Sequence, residues 1–449
     1  MLTSIVAAVV ILGLLIIVHE AGHFLMAKRL GVRVLRFSIG YPPKLFGFRR
    51  GETEYVIGAT PVGGYVRMLG EEVGEEPRSD ELGTYLVEMG HDLIGAARKT
   101  GAIPAAGGDF HETLRNLVGR LDPANATETA RILGRALRPE EILYLNRLRI
   151  AASVETAIKS LQENPPEEIL QAFRARAFPN QQLWKRFAIV LAGPASNLLF
   201  APVLLAIVFM YGVPVALPIV GKTMPNSPAA QAGLVAGDRI VTVNGKSTPT
   251  WSDFSDDVKS GTGGPVTIEV ERAGTPGRLS ITVTPRLEAQ KTIFGTTASE
   301  WIIGVTPRGD AITRRFNPIS AVIHAATTTG SLTVQLVVGI ASIVSGAIPI
   351  REALGGPIMI AQVAGREAHQ GFASVAMFTV MLSLELGLIN LLPVPLLDGG
   401  HLAFFVFEGL RGKPLAIRHR EIALQVGLFL LVALMAFVIF NDISRIVQG

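Results

Sequence analysis

Residues Ser4–Ala27 read SIVAAVVILGLLIIVHEAGHFLMA. The run is long enough to cross a bilayer, which takes about 20 apolar residues. No charge occurs from Met1 to Val18, yet the stretch then takes in His19-Glu20-Ala21-Gly22-His23 and continues apolar as Phe24-Leu25-Met26. A cleaved secretory signal would open on a basic segment; none is present, so an uncleaved membrane helix is expected. Residues four apart on a helix lie about 40° apart around its axis, so His19 and His23 share a face. Two such imidazoles can hold one metal ion, with Glu20 between them as a base on a water that the metal activates. Inside an apolar helix these groups are costly unless they face a cavity.

The rest of the chain agrees with a membrane setting. Of 449 residues, 49% are hydrophobic and only 17% charged, with a mean hydropathy of +0.40. Soluble domains carry about 25% charged residues, so a cytosolic enzyme and a disordered chain are both excluded. The net charge of +4 is small, and no basic cluster is interleaved with aromatics, which excludes a nucleic-acid partner. Cysteine is absent. Disulfides, thiolate metal sites and a cysteine nucleophile are therefore ruled out, and any metal must rest on His and carboxylates.

Hydropathy marks four spans: Ser4–Ala27, Phe187–Tyr211, Phe372–Leu397 and Ile422–Phe440. The cluster Lys28, Arg29, Arg33, Arg36, Lys44, Arg49 and Arg50 puts the end of the first span in the cytoplasm. Four spans place Arg411, Lys413, Arg418 and Arg420 there as well. A fifth uncharged stretch, Phe316–Ile350, would turn them outward, and its Thr327-Thr328-Thr329 and Gln335 suit lipid poorly. It reads as an interfacial or partly buried segment. Val32–Leu69 carries turn signals at Tyr41-Pro42-Pro43, Arg50-Gly51 and Pro61-Val62-Gly63-Gly64, and reads as short strands and hairpins. Glu71–Gln182 opens on an acidic run (Glu71 to Glu81), then turns helical, with Leu114, Leu117, Val118 and Leu121 on one face. Pro214–Pro285 is a mixed soluble module, in which Val266, Ile268 and Val270 and then Leu279, Ile281 and Val283 alternate with polar residues as half-buried strands.

Two histidines leave zinc short of its usual three protein ligands. Arg29 stands where one known extension of this motif would need a third His. Another ligand must come from elsewhere. The third span ends in Asn390-Leu391-Leu392-Pro393-Val394-Pro395-Leu396-Leu397-Asp398-Gly399-Gly400-His401. Pro393 and Pro395 cannot sustain regular helix bonding, and unwound backbone at membrane depth is tolerated where it lines a cavity. Asp398 is then a natural oxygen ligand, with His401 as a rival.

Together these motifs resemble the site-2 protease family of intramembrane zinc metalloproteases, in its bacterial RseP-like branch. The resemblance rests on His19-Glu20-x-x-His23, on Asn390-x-x-Pro393-x-Pro395-x-x-Asp398-Gly399, and on Gly193-Pro194-Ala195-Ser196-Asn197. Phe37-Ser38-Ile39-Gly40, Gly63-Gly64-Tyr65-Val66 and Gly355-Gly356-Pro357-Ile358 agree with it. It covers 1–70 and 183–449. It implies a polytopic α-helical membrane protein of the bacterial cytoplasmic (inner) membrane that cleaves within or near transmembrane segments of single-pass substrates, such as anti-sigma factors or remnant signal peptides. His19, His23 and Asp398 would bind Zn²⁺, Glu20 would be the catalytic base, and Asn390, Pro393, Pro395 and Asn197 would lie on the substrate side. The string Ser227–Ile240 followed by Val243-Asn244-Gly245 resembles a PDZ domain, which would bind peptide ligands by strand addition.

The domain reading is thus 1–31 first transmembrane helix, 32–70 membrane-associated β region, 71–182 cytoplasmic helical insertion, 183–213 second transmembrane helix, 214–290 PDZ domain, 291–370 extracytoplasmic interfacial segment and 371–449 the last two transmembrane helices. Two departures stand out: Glu385 lies where relatives often carry Asn, and the insertion replaces a usually short connection. A non-catalytic PDZ scaffold with a degenerate metal site is the alternative, and it has no need of the full His19, Glu20, His23 and Asp398 set.

Overall fold

The computed structural model describes residues 2–71, 79–105, 107–291, 297–349, 351 and 355–448. Most of the acidic run (72–78) lies outside them. The chain forms two compact units, one made of 9–197 and 389–430, the other of 1–8, 198–388 and 431–449. Among the described residues, five helices are long and apolar enough to cross a membrane, and β strands accompany them.

The first of these units begins in helix α1 (Leu2–Arg29), followed by strands β1 (Val34–Arg50) and β2 (Thr53–Met68). Each of these two strands folds back on itself, so that together they lay four short segments side by side. Residues 36–39 pair on one side with 64–67 and on the other with 54–57, while 44–50 pair with 53–58. The Pro42-Pro43 and Gly63-Gly64 signals fall where β1 and β2 each fold back and the register shifts, and Gly51-Glu52 turns the chain between them. Gly64–Met68 is left as an edge.

The insertion is a helical bundle of α2 (Ser79–Lys99), α3 (Phe110–Arg120), α4 (Ala126–Leu133), α5 (Pro139–Ile150), α6 (Val154–Glu163) and α7 (Glu167–Arg174). Leu86, Leu93, Leu114, Leu145, Leu148 and Phe173 are almost fully excluded from solvent at its centre. Asp109, Asn125 and Ser153 cap α3, α4 and α6 through side-chain oxygens that accept backbone N–H groups, each cap contributing about 1 kcal/mol. Helix α8 (Leu183–Tyr211) follows.

In the other unit, β3 (Val213–Ala216), β4 (Val220–Thr223), α9 (Pro228–Gln231), β5 (Arg239–Val243), β6 (Lys246–Ser247), α10 (Trp251–Lys259), β7 (Val266–Glu271), β8 (Arg278–Val283), β9 (Arg286–Lys291), β10 (Thr297–Ile302), β11 (Val305–Pro307) and β12 (Ala311–Arg314) build the soluble module. A sheet of order β6-β5-β7-β8 packs with α10 around Ile240, Phe254, Ile268 and Val270. The expected boundary at 290 is too early. Ile303 belongs to this core, β11 pairs with β4, and β12 pairs with β3 to close the module on itself. These pairings join residues 82 to 101 positions apart and leave no local trace in the sequence.

Helix α11 (Pro318–Val344), α12 (Pro357–Gln370) and α13 (Phe372–Asn390) come next. Ala325 and Leu336 of α11 share a buried cluster with Ala201 and Leu205 of α8 and with Val380 and Leu384 of α13. Stretch 316–350 is therefore one continuous helix over most of its length and partly buried. Helix α13 ends at Asn390, short of the expected Leu397, because the prolines that follow cannot donate. Helix α14 (Asp398–Arg411) and the long α15 (Ile417–Gln448) finish the chain.

Glu141 shows what holds the insertion together. Its side chain is fully buried. Burial alone would push its carboxyl up, but Arg135 Nη1 and Nη2 (2.8 and 2.7 Å), Arg138 Nη2 (2.8 Å) and the Arg138 backbone N–H (2.8 Å) hold it down, to about 2. A lowered folded-state pKa contributes stability that is complete above the unfolded value of about 4.3 and is lost as pH falls toward the folded one. Glu141→Gln should cost roughly 2 kcal/mol at pH 7, read as about tenfold or more faster hydrogen exchange of the α5 amides in the full chain. The gap between variant and wild type should close as pH falls from about 4 toward 2.

Candidate metal centre

Helices α1 and α8 meet at unusually short range. Ser196 Oγ donates to the Val18 carbonyl at 2.7 Å. A Cβ on Gly193 would sit 2.2 Å from His23 Nε2, so only glycine lets that ring lie where it does. Across this contact His23 Nδ1–H donates to the Ile189 carbonyl at 2.9 Å, and the Asn197 amide lies 3.4 Å from His19 Nδ1. Ile189, Gly193 and Asn197 are four residues apart and form one stripe of α8. A carbonyl can only accept, so Nδ1 of His23 carries the proton, and in the neutral ring Nε2 is left with a lone pair.

Both Nε2 atoms point the same way. They are 3.2 Å apart, and Asp398 Oδ2 lies 3.0 Å from His19 Nε2 and 3.4 Å from His23 Nε2. Tetrahedral ligand atoms about 2.0–2.1 Å from a zinc ion lie roughly 3.3 Å from one another. The three observed spacings match that figure. Asp398 Oδ2 is buried and receives no hydrogen bond. Converging lone pairs of this kind repel one another without a cation among them. The donor set, two imidazoles and one carboxylate, suits zinc and leaves a fourth position open.

Asp398 reaches the cluster from the other end of the unit's sequence. After α13, residues 391–397 form a tight irregular loop, with Val394 N–H donating to the Leu392 carbonyl at 2.7 Å and Leu397 N–H to that of Val394 at 3.1 Å. Leu396 is held at φ 85°, a conformation that is uncommon outside glycine and carries strain. The loop delivers Asp398 as the first residue of α14.

Glu20 stands beside the ligands. The Val66 backbone N–H donates to its carboxylate. A Cβ on Gly64 would lie 3.1 Å from Glu20 Cγ and 2.7 Å from the Ser38 carbonyl, so glycine brings the sheet edge against the base.

Of the residues singled out in the sequence, His19, His23 and Asp398 are brought together and Glu20 adjoins them. Asn390 ends α13, half-buried, with no side-chain hydrogen bond among the described residues. Pro393 and Pro395 shape the loop. Asn197 is placed differently from its expected substrate side: it is fully buried behind His19, where it orients the ring. His401 is exposed and outside the cluster. Sequence reasoning missed the Ile189 carbonyl, which carries no side-chain signal, and the steric role of Gly193, which lay within a recognised motif. Gly193→Ala should displace the His23 ring and lower zinc affinity at least tenfold, as outer partners of metal ligands typically do. Elemental analysis of detergent-purified protein should find about one zinc per wild-type chain and well under half of that for Gly193→Ala and for Asp398→Asn.

The family model described as peptidase family M50 matches residues 7–434. The chain is 32% identical to the regulator of sigma-W protease RasP of Bacillus subtilis, over 99% of both chains. It is 33% identical to protease RseP of Yersinia pestis and to the regulator of sigma-E protease RseP of Salmonella typhimurium, each again over 99% of both chains. Similarity of this extent, joined to a three-ligand cluster built into apolar helices, leads to one conclusion: the chain belongs to peptidase family M50 and is a site-2-type zinc metalloprotease of the bacterial inner membrane.

Proposed function

We propose that this enzyme cleaves peptide bonds within or at the edge of transmembrane helices of single-pass proteins, with His19, His23 and Asp398 as zinc ligands and Glu20 as the group that moves the proton. The observation that carries the reading is the convergence of two Nε2 atoms and one Oδ2 within 3.4 Å of each other beside a carboxylate that faces a sheet edge. Zinc, when bound, polarises the scissile carbonyl and stabilises the negative charge that develops on its oxygen. Glu20 takes one proton from the attacking water. The water oxygen bonds to the carbonyl carbon, the C–N bond breaks, and Glu20 returns the proton to the departing amine. One water is consumed, and a carboxylic acid and an amine result, the acid then giving up its proton so that the amine leaves as an ammonium.

A helical substrate hides its carbonyls in its own hydrogen bonds and must unwind. The edge Gly64–Met68 supports a way to hold it extended, by strand addition, with the free Asn390 amide as a further donor from the proline loop. Relatives named as regulators of sigma-W and sigma-E support membrane-held anti-sigma factors as the substrate class, with remnant signal peptides as a second. Glu20→Gln should lower kcat for a fluorogenic single-pass helix in detergent micelles by at least 10³-fold, while zinc stays near one per chain. Retained cleavage would remove Glu20 from the chemistry.

Four crossings suit the chain better than five. Phe316, just before α11, donates its N–H to the Phe209 carbonyl near the end of α8 (3.0 Å). The start of α12 is capped by Asp442 near the end of α15, which accepts from Gly356, Ile358 and Met359 (3.0, 3.1 and 3.2 Å), and Gly365 lies against Ser4 at the start of α1. By the charge count all of these ends are extracytoplasmic. Crossing by α11 would leave roughly a dozen residues to return through lipid, far fewer than a spanning helix needs.

The module closed by β3 and β12 is read as the PDZ domain, on the outer side. Between α10 and 300–305 it holds a cavity of about 250 Å³ lined by Trp251, Phe254, Val258 and Ile303, suited to an extended apolar peptide. Because Ala216 pairs with Ala311, residues 217–310 can be replaced by a short linker. That deletion should widen the range of single-pass proteins cut, with kcat for a short pre-trimmed substrate within about threefold of wild type. Loss of cleavage of that substrate would show that the module is no filter.

A further inference from the structure

Arg33 is a charged side chain with no solvent exposure at all, the largest such residue among those described. Charges are almost never buried to this extent unless paired. Its guanidinium donates through Nη1 to Glu88 Oε2 of α2 at 2.6 Å and lies over the rings of Tyr85 and Phe173, with 5.5 and 6.0 Å to their centroids. Those three partners all belong to the insertion, and a fourth, Glu52 Oε2 at 3.6 Å from Nη1, lies in the turn between the strands. The backbone of Arg33 is committed in the same direction. Its N–H donates to the Arg176 carbonyl (3.0 Å), its carbonyl accepts from Leu69 (2.9 Å), and the Leu69 carbonyl accepts from Phe178 (2.9 Å).

Arg33 immediately precedes β1, and Leu69 immediately follows β2. The turn between the strands is held as well: Glu52 pairs with Lys28 in the last turn of α1 and with Arg176 Nη2 at 2.7 Å. The sheet is thus gripped at its entry, its turn and its exit, all at one end. Its edge strand runs from that end toward Glu20, and Gly64 lies five residues from Leu69, about 17 Å away along an extended strand.

We propose that the helical insertion (79–178) is a brace that fixes the angle of the sheet edge against Glu20, with Arg33 as the positioning residue that fastens it. This rests on the reading of Gly64–Met68 as the strand that receives substrate. It gives the insertion a task in the reaction itself. A spacer would need no buried charge, and a docking platform would not need to hold three points of the sheet. Burying an arginine is poor use of a core for stability alone, since an apolar pair of similar volume often does as well or better. What the ion pair and the stacked guanidinium add is a single allowed geometry.

Arg33→Met alone would strand the Glu88 carboxylate and endanger folding, so the test uses Arg33→Met/Glu88→Met in the full chain, with Gly64→Ala alongside. The substrate is a fluorogenic single-pass transmembrane helix in detergent micelles. The brace predicts a KM at least fivefold higher for the double variant, kcat within twofold of wild type, and one zinc per chain. Arg33→Lys/Glu88, which keeps the charge but not the stacked planar fork, should recover part of the KM. An unchanged KM, a fall in kcat at constant KM, or loss of zinc in the double variant would overturn the proposal. Gly64→Ala separates the two readings: a raised KM there with an unchanged KM in the double variant overturns the brace and leaves the edge strand standing. An unchanged KM for Gly64→Ala overturns the edge strand, and the brace with it.

Discussion

The close approach of α1 and α8 at Gly193 is the constraint on which the centre depends. A bare α-carbon there admits the His23 ring, and the ring's Nδ1–H then meets the Ile189 carbonyl one turn earlier on the same helix. One contact thereby settles three things: the distance between the helices, the orientation of the imidazole, and its tautomer. His19 follows, because it is one turn from His23 and is met by Asn197 one turn beyond Gly193. Helix α8 contributes no metal ligand. It is the template against which α1 becomes a metal-binding surface.

The third ligand is governed by different physics. Asp398 is brought in by a loop that refuses to be helical, and its cost is visible in the backbone of Leu396 at φ 85°. Strain of this kind persists where surrounding structure over-determines it. Two rigid helices and a strained loop complement each other: the helices hold the two imidazoles fixed while the loop supplies the carboxylate with reach. The same loop leaves Asn390 at the end of α13 with an amide that nothing else engages among the described residues.

How much of this was legible follows from the range of each signal. The four-residue spacing of His19 and His23 is a local fact, and so is the proline pair before Asp398; both could be read from the chain. Helices with a strong local period were equally plain, as at Leu114, Leu117 and Val118. What could not be read was anything that depends on pairing across sequence. The module's last strands, 305–307 and 311–314, carry no signature of their own and belong with 220–223 and 213–216 only through hydrogen bonding. The proline and glycine signals between 41 and 64 were visible, and they lie where β1 and β2 fold back; what they could not show is which of the resulting segments pair with which. Asn197 was recognised by its motif, but its burial beside His19 was not legible there, because a motif records that a residue matters and not which way its side chain faces.

The strand addition proposed above requires a bare strand edge, and bare edges are liabilities that proteins usually cover, charge or shorten. Here the edge is short, ends in Arg67 and Met68, and is flanked by Gly64, so little apolar surface invites a second chain to pair with it. Its placement matters more. A strand that can pair with any extended segment is discriminating only if few segments can reach it, and a bonded helix cannot pair at all until it unwinds. Selectivity then comes from the difficulty of unwinding, and the edge must stay in register with Glu20 while it waits. A freely hinged hairpin would meet extended segments in many orientations, most of them unproductive. The fully buried Arg33 and the paired Glu52 at the opposite end of the same sheet make sense in those terms, since the rigidity proposed for them would keep such an edge still while it holds another strand.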